Sequence, residues 1–333
     1  MVFSNQFQFH KVHAMSDVSR AVIYSFQEAG LSVSPPFLVI NDNLFEMKLP
    51  FPAADFWNPE TEKQPEGQKY KSILLMAPKQ KTETRYLLAL ALRHIEADGV
   101  LAVAATNDAG GKSLGKVLKE FGLNLTDISK HKCRVVWTAK PQEACGDSVD
   151  EAIKQGQPQQ RADGLWSQPG VFSWETLDKG TALLLPHLSF GLSGKGADFG
   201  CGIGVIGMAI MPSASIKKLI CVDRDIRALE CAEKNLADWK EKIEIRQADL
   251  SKPIDLCNLD FIVMNPPFHT GKKETLELGK TFITNAFSSL KSGGILLMVA
   301  NSHLPYEELV GEKFSSHKIV SQEKGFKIIE AIK

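Results

Sequence analysis

Asn265, Pro266, Pro267 and Phe268 follow directly on the apolar run Phe261-Ile-Val-Met264. A loop of this composition can activate a weak nitrogen nucleophile. The exocyclic amino group of a base or an amide has its lone pair delocalised into a π system. Two acceptors that grip its N–H bonds turn that lone pair outward and stabilise the positive charge that develops on nitrogen. The Asn265 side-chain oxygen and the Pro266 carbonyl can be those acceptors. The prolines bring no N–H to satisfy such carbonyls internally, and they stiffen the loop. Phe268 offers a face on which a planar group stacks. No general base is required, because the product ammonium loses its proton readily. His269 then reads as a loop histidine contacting solvent or phosphate, and Lys272 and Lys273 as phosphate contacts. The plain alternative is a Pro-Pro turn that only ends a strand.

A second motif lies upstream. Asp198-Phe-Gly200-Cys-Gly202-Ile-Gly204 ends one apolar run and opens a helical pattern. Its glycines let the backbone turn sharply and approach a ligand, and the following helix points free N–H groups at it. Cys201 is a small residue that fits the turn. Asp223 closes the next run, Ile220-Cys-Val-Asp223, where a carboxylate can accept both hydroxyls of a ribose. Gln247-Ala-Asp249-Leu250 ends the third, and Asp249 is placed to accept from an adenine amino group. Gly202-x-Gly204-x-x-Gly207 also satisfies the dinucleotide fingerprint. A nicotinamide cofactor would leave Asp198, Asp249 and the Pro-Pro loop unused. The expected cofactor is S-adenosyl-L-methionine, with Asn265 beside the methyl donor.

These motifs need elements to hold them. Apolar runs end at Phe199, Asp223, Gln247, Met264 and Ala300, and helical patterns over residues 226–239 and 275–290 separate two pairs of them. Strand–helix alternation predicts a parallel, doubly wound α/β sheet. The period then changes. Residues 318–322 and 326–332 flank Glu323-Lys324-Gly325 as a hairpin. Five parallel strands plus a hairpin make the seven-stranded sheet of a Rossmann-like methyltransferase domain, whereas a dinucleotide dehydrogenase would continue with another strand–helix unit.

The first half reads as an altered copy of the second. Ser72-Ile-Leu-Leu-Met-Ala-Pro78 resembles Phe261-Ile-Val-Met-Asn-Pro266. Residues 97–105 match 292–300 without a gap, and 133–140 match 326–333. The expectation is therefore a duplicated Rossmann-like fold: residues 1–145 a degenerate domain without a cofactor site, 146–164 a linker, and 165–333 the catalytic domain. The copy has no Gly-rich loop after a strand. This alignment puts Ala77 at the position of Asn265 and Lys79 at that of Pro267, so the first domain is expected to be catalytically silent.

Composition excludes several classes. The chain of 333 residues carries 39 Lys and Arg against 39 Asp and Glu, and each half, split at Leu165, is balanced. Neither half has a bulk basic field to attract nucleic acid without shape recognition. No Cys-x-x-Cys pair occurs among the six cysteines, so no metal is assigned. No run is long enough to span a bilayer and no secretory signal is visible, which predicts a cytoplasmic protein.

At four places the residues resemble a known family, the bacterial 16S ribosomal RNA guanine-N2 methyltransferases of the RsmC type. They are Pro169-Gly-Val-Phe-Ser173 with Leu177-Asp-Lys-Gly180, then Asp198 to Gly204, then Asn265 to Phe268, and Val299-Ala-Asn-Ser-His-Leu-Pro-Tyr306. The resemblance implies methyl transfer to the N2 amino group of a guanine in ribosomal RNA, within an assembled or partly assembled small subunit. It also implies Phe172 and Asp178 as further cofactor contacts, and a first domain that has lost its cofactor site. Two other readings stand beside it. One is protein glutamine methylation, which uses a related loop usually ending in Tyr; the other is a non-catalytic ribosome-assembly factor. The intact Asn265 argues against the second.

Overall fold

The computed structural model describes residues 22, 24, 37–40, 54–60, 62, 67–188, 191–267 and 272–333. The chain forms two compact units, Met1–Gln157 and Pro158–Lys333.

In the first unit, strands β1 (Phe37–Ile40), β2 (Ala54–Trp57) and β3 (Tyr70–Met76) precede helix α1 (Lys81–His94). Strand β4 (Ile95–Thr106), helix α2 (Leu114–Lys119), strands β5 (Thr126–Lys130) and β6 (Cys133–Thr138), and helix α3 (Gly146–Gly156) follow. The sheet order is β2-β1-β3-β4-β6-β5, with every strand running the same way except β6, which is antiparallel to both its neighbours. The core gathers Ile73, Leu75, Leu101 and Val103 from the strands and Leu87, Leu88 and Ala91 from α1.

The second unit opens on a short ladder, β7 (Gln159–Gln160) with β8 (Trp166–Ser167), and then helix α4 (Lys179–Leu184). Strand β9 (Gly194–Phe199), helix α5 (Val205–Ile210), strand β10 (Ile216–Asp223), helix α6 (Ile226–Asn235), strand β11 (Ile243–Gln247) and strand β12 (Leu259–Met264) come next. Helix α7 (Lys272–Ser289), strand β13 (Leu290–Asn301), helix α8 (Tyr306–Lys313) and strands β14 (Ser316–Glu323) and β15 (Phe326–Ile332) complete the unit. The seven strands run β11-β10-β9-β12-β13-β15-β14, and β14 and β15 form the expected antiparallel hairpin. Its two-residue turn has positive φ at both Lys324 and Gly325, the geometry whose twist suits a tight hairpin. Apolar strands buried on both faces read as near-continuous hydrophobic runs, which is why their ends are visible in the sequence.

The register shows the duplication. Tyr70 pairs with Ile95 and Ser72 with Val100, across a bulge. Leu259 pairs with Leu290 and Phe261 with Ile295, across the same bulge. In each copy a glycine follows that bulge, because a neighbouring carbonyl stands where its Cβ would go: Lys71 O at 2.9 Å from Gly99 and Leu259 O at 3.0 Å from Gly294. The β5–β6 turn repeats the positive φ pair at His131 and Lys132. The register also corrects the alignment of one segment by a residue. With Val100 at the place of Ile295, Ser72 stands at Phe261, so Met76 and not Ala77 takes the position of Asn265, and Pro78 that of Pro267. A run of similar apolar residues slides by one without a sequence penalty, whereas a one-residue slip in a sheet turns every side chain to the other face.

The stretch from 146 to 164 differs from the expected linker. Its first part is α3, which buries Val149, Ala152 and Gly156. A Cβ on Gly156 would fall 2.1 Å from the Tyr86 ring of α1, so the two helices approach as closely as a glycine permits. Three small or apolar residues among charges are a weak sequence signal, but their spacing puts them on one helical face.

Candidate active site

All five parallel strands of the second unit end on one edge, and the motifs stand there. Past Phe199 the backbone takes positive φ at Gly200, Gly202 and Gly204 before α5 begins. Gly200 N and Cys201 N donate to Val222 O at 2.8 and 3.0 Å, and Gly202 N donates to Asp223 Oδ2 at 2.8 Å. The loop is thus tied to the end of β10. Nothing lies within 4 Å of where a Gly202 Cβ would be, so the loop has open space beside it.

Asp198 is fully buried, and neither of its carboxylate oxygens has a hydrogen-bond partner among the described residues. Burial, with the Asp223 charge adding to it, pushes its carboxyl up to about 8. A buried polar group without a partner is costly, and such groups mark ligand sites. Asp223 is half-buried. Its carboxyl is raised by burial and held back by the N–H groups of Asp225 and Gly202. Ala248 N donates to Asp223 O at 2.9 Å, which brings the end of β11 alongside. There Asp249 accepts from Ser251 N and Oγ at 3.0 and 2.6 Å. Burial would raise its carboxyl, but those bonds and Lys252 outweigh burial and hold it below the ordinary value. Leu250 has its side chain in the core, so only its backbone is left for a ligand. Asn285 of α7 fastens this corner, donating to Leu250 O at 3.0 Å and Lys252 O at 2.8 Å.

Asn265 stands where β12 leaves the sheet, its carbonyl 4.0 Å from the place of a Gly200 Cβ. Its Nδ2 donates to Asp178 Oδ2 at 2.9 Å and to Thr181 Oγ1 at 2.8 Å. Its Oδ1 is buried and has no partner among the described residues. Asp178 is the N-cap of α4 and also accepts from Thr181 N at 2.9 Å. The structure therefore places Asp178 on the Asn265 amide. Pro266 is buried and Pro267 exposed. Phe268 and His269 lie outside the described residues, as do the side chains of Lys272 and Lys273.

Phe172 is 45% exposed on a segment docked beside the glycine loop. Val171 is buried with Ile203. Asn235 accepts from Trp166 N at 2.7 Å and donates to Trp166 O and Ile203 O at 2.9 Å each. Thr181, Asn235 and Asn285 escape a reading of the sequence. The spacing of Asp178 to Thr181 is an N-cap signal that points to Thr181; nothing local marks the two asparagines, which act over long sequence separations. Among the described residues no three His, Cys, Asp or Glu side chains gather to hold a metal, and no helix is long and apolar enough to cross a membrane.

Comparison with known proteins meets this geometry. The methyltransferase small domain model matches residues 163–330, and the methyltransferase small domain N-terminal model matches 51–150. The ribosomal RNA small subunit methyltransferase C of Shewanella baltica is 34% identical over 269 residues, which are 79% of this chain and 76% of that protein. That of Shewanella loihica is 34% identical over 271 residues, 79% of this chain and 78% of that protein. The chain belongs to the ribosomal RNA small subunit methyltransferase C family. A solved member of the same fold is the T. thermophilus 16S rRNA N2 G1207 methyltransferase, in complex with AdoMet and guanosine. It superposes with a TM-score of 0.74 at 19% identity, over 96% of this chain and 92% of that one. The family's two domain models fall one on each unit, as the repeated sheet topology requires.

Proposed function

We propose that the second unit transfers a methyl group from S-adenosylmethionine to the N2 amino group of a guanine in small-subunit ribosomal RNA. The observation that carries the reading is the unpartnered, buried Oδ1 of Asn265 beside the glycine loop. An acceptor left open inside a protein demands a donor from outside, and an amino group supplies two N–H bonds.

The residues fit the cofactor. Asp198 has two buried oxygens for which the described residues provide no donor, and a ligand with an ammonium and a sulfonium answers that need. The open side of Gly202 admits a backbone-close ligand, Asp223 faces a ribose, and Asp249 with the Leu250 backbone bounds the adenine. Phe172 covers the ligand from the docked segment. When bound, the cofactor supplies an electrophilic methyl on sulfur. The chain does the rest. Asn265 Oδ1 and the Pro266 carbonyl accept the two N–H bonds, rotate the nitrogen lone pair out of conjugation and face the charge that forms. Pro267 stiffens the loop, and Phe268 stacks on the base. The released proton goes to solvent.

A paired guanine cannot present N2 to this loop, so the nucleotide is unpaired or flipped, at a cost of a few kcal/mol that stacking partly offsets. With no net charge on the chain, bulk attraction to RNA is weak. The substrate is then a shaped one, an assembled or partly assembled small subunit in the cytoplasm. The first unit holds no cofactor and supports the RNA contact or the catalytic unit. Labelled-methyl transfer to small subunits from a deletion strain, followed by nucleoside analysis, tests the assignment. N2-methylguanosine is expected, and Asn265→Ala should lower its rate by about 10²-fold or more while cofactor binding persists. Label on adenine or on a protein glutamine would overturn the substrate.

A further inference from the structure

An asparagine amide has two ends that look alike in shape and opposite in chemistry. If Asn265 presented Nδ2 to the incoming amino group, donor would meet donor and the methylation geometry would be lost. Something must select the other orientation. The loop itself does not: its following residues are prolines, and Oδ1 has no protein partner among the described residues.

The selecting groups come from α4. Asp178 as a carboxylate has no hydrogen to give, so only Nδ2 can face its Oδ2 at 2.9 Å. Thr181 Oγ1 takes the second hydrogen of Nδ2 at 2.8 Å. Both amide hydrogens are thereby used. The carboxylate is in turn held by Thr181 N, so the amide, the carboxylate and the first turn of α4 form one closed set of bonds. Gly180 leaves room for it. A Cβ there would stand 3.0 Å from Asp178 Oδ2 and 3.2 Å from the Phe326 ring of β15. A negative charge behind Nδ2 also polarises the amide, which makes Oδ1 a better acceptor for a nitrogen becoming positive.

We infer that Asp178 and Thr181 are positioning residues, which hold the Asn265 amide with Oδ1 toward the substrate amino group rather than contributing to cofactor affinity. The inference rests on the methyl-transfer reading above. The pair acts on the rate of the bound complex and not on either ligand's affinity.

The test uses full-length chain and small subunits from a deletion strain. Asp178→Asn removes the charge behind Nδ2, and because Thr181 N and Asn265 Nδ2 share one carboxylate oxygen, its amide either keeps the α4 cap with a weaker acceptor or turns over and frees the Asn265 amide. Thr181→Val removes one acceptor at similar volume, and Thr181→Ser restores it. Single-turnover transfer at saturating cofactor should fall by about 10-fold to 100-fold in Asp178→Asn and Thr181→Val, the scale for misplacing a reacting group. Thr181→Ser should recover most of the rate. Cofactor affinity by calorimetry and KM for the subunits should stay within about twofold, since neither contact is removed. In the Asn265→Ala background, Asp178→Asn should have almost no further effect, because residues acting as one unit are not additive. A weakened cofactor affinity with an unchanged saturated rate in Asp178→Asn would overturn the inference, and so would full additivity with Asn265→Ala. If Asn265→Ala alone left transfer intact, the methyl-transfer role of the loop would fail, a result separable from either of these.

Discussion

The unpartnered carboxylate of Asp198 links cofactor binding to pH. Its carboxyl is pushed from 3.8 to about 8 by burial and by the Asp223 charge. A shift of that size is roughly 6 kcal/mol of preference for the neutral form. At pH 7 the free protein therefore carries the proton in about nine molecules of ten. A cation bound against this group reverses part of the penalty. Recovering half of it is about 3 kcal/mol, or roughly a hundredfold in affinity, and it expels the proton. The sign follows. Binding should weaken as pH falls below about 8, by close to one log unit per pH unit, and level off above. The stability of the free protein moves the other way. A carboxyl raised on folding stabilises below its unfolded value near 3.8, and that contribution is lost as pH rises towards about 8. Asp198→Asn removes the titration with little change of shape. The cofactor's own α-amino group titrates near pH 8, so the informative quantity is the difference between the native chain and the variant. Calorimetry at about pH 6 to 9, in two buffers of different ionisation enthalpy, counts the protons. Native chain should release more protons per cofactor at pH 7 than Asp198→Asn, by the larger part of one, and its affinity should fall more steeply toward acid. Equal proton counts and parallel pH profiles would refute the argument.

Other outcomes follow from single contacts. Titration of the full chain with S-adenosylmethionine should give one cofactor per chain; two would mean that the first unit has kept a site. Gly204→Ala places a side chain at φ +85°, with Leu236 Cδ1 at 3.1 Å and Ala232 Cβ at 3.3 Å, so it should cost roughly 1–3 kcal/mol and lower the melting temperature. An unchanged melting temperature would show that the loop has freedom to shift. Asn285→Ala strips the donors from Leu250 O and Lys252 O and should cost about 1–3 kcal/mol, with weaker cofactor binding because the Asp249 corner loosens. Full cofactor affinity in that variant would detach the corner from the ligand.

The parts legible in the sequence are those written in local pattern. Strand ends at Phe199, Asp223, Gln247 and Met264 coincide with the observed ones: β9, β10 and β12 are largely buried runs closed by a polar or turn residue, and the half-buried edge strand β11 stops at the exposed Gln247. The glycine loop and the Pro-Pro loop are legible because their residue types have few other uses. What escapes is written in pairs. Asp178 and Asn265 meet across 87 positions of chain, and Asn285 and Leu250 across 35. Nothing local in either partner announces the other. The family resemblance singles out Asp178 as a cofactor contact, and only the fold brings it onto the Asn265 amide. Helix α3 escapes for a different reason: three small contacts against α1 are enough to fold it, and its remaining residues are those of a loop.

The duplicated sheet shows why packing outlasts chemistry. The bulge between β3 and β4, the glycine that follows it and the positive φ pair of the β5–β6 turn all repeat features of the second unit. Each serves the sheet itself. A different residue at Gly99 would drive a Cβ onto Lys71 O, so the position tolerates no drift. The site residues have no such hold. Met76, at the place of Asn265, is 8% exposed and fills space that an amide would leave needing partners. Pro78 still stands at the place of Pro267, as a proline that ends a strand serves folding as well as catalysis. Among the described residues the first sheet also has no strand outside β2 to match β11, the strand whose end leads to Asp249. The residues between β1 and β2, where the second unit has its glycine loop, contain no glycine at all. If the first unit holds no ligand, as proposed, an unpartnered buried carboxylate or amide oxygen there would be a pure cost, and an apolar side chain in its place stabilises the fold. The same reasoning predicts the reverse substitution. Met76→Asn should destabilise the chain by about 1–3 kcal/mol without creating cofactor binding, because it puts a polar amide where a buried apolar side chain now packs. Thermal unfolding of the variant measures it, and a neutral or stabilising result would show that the first unit still offers that amide a partner.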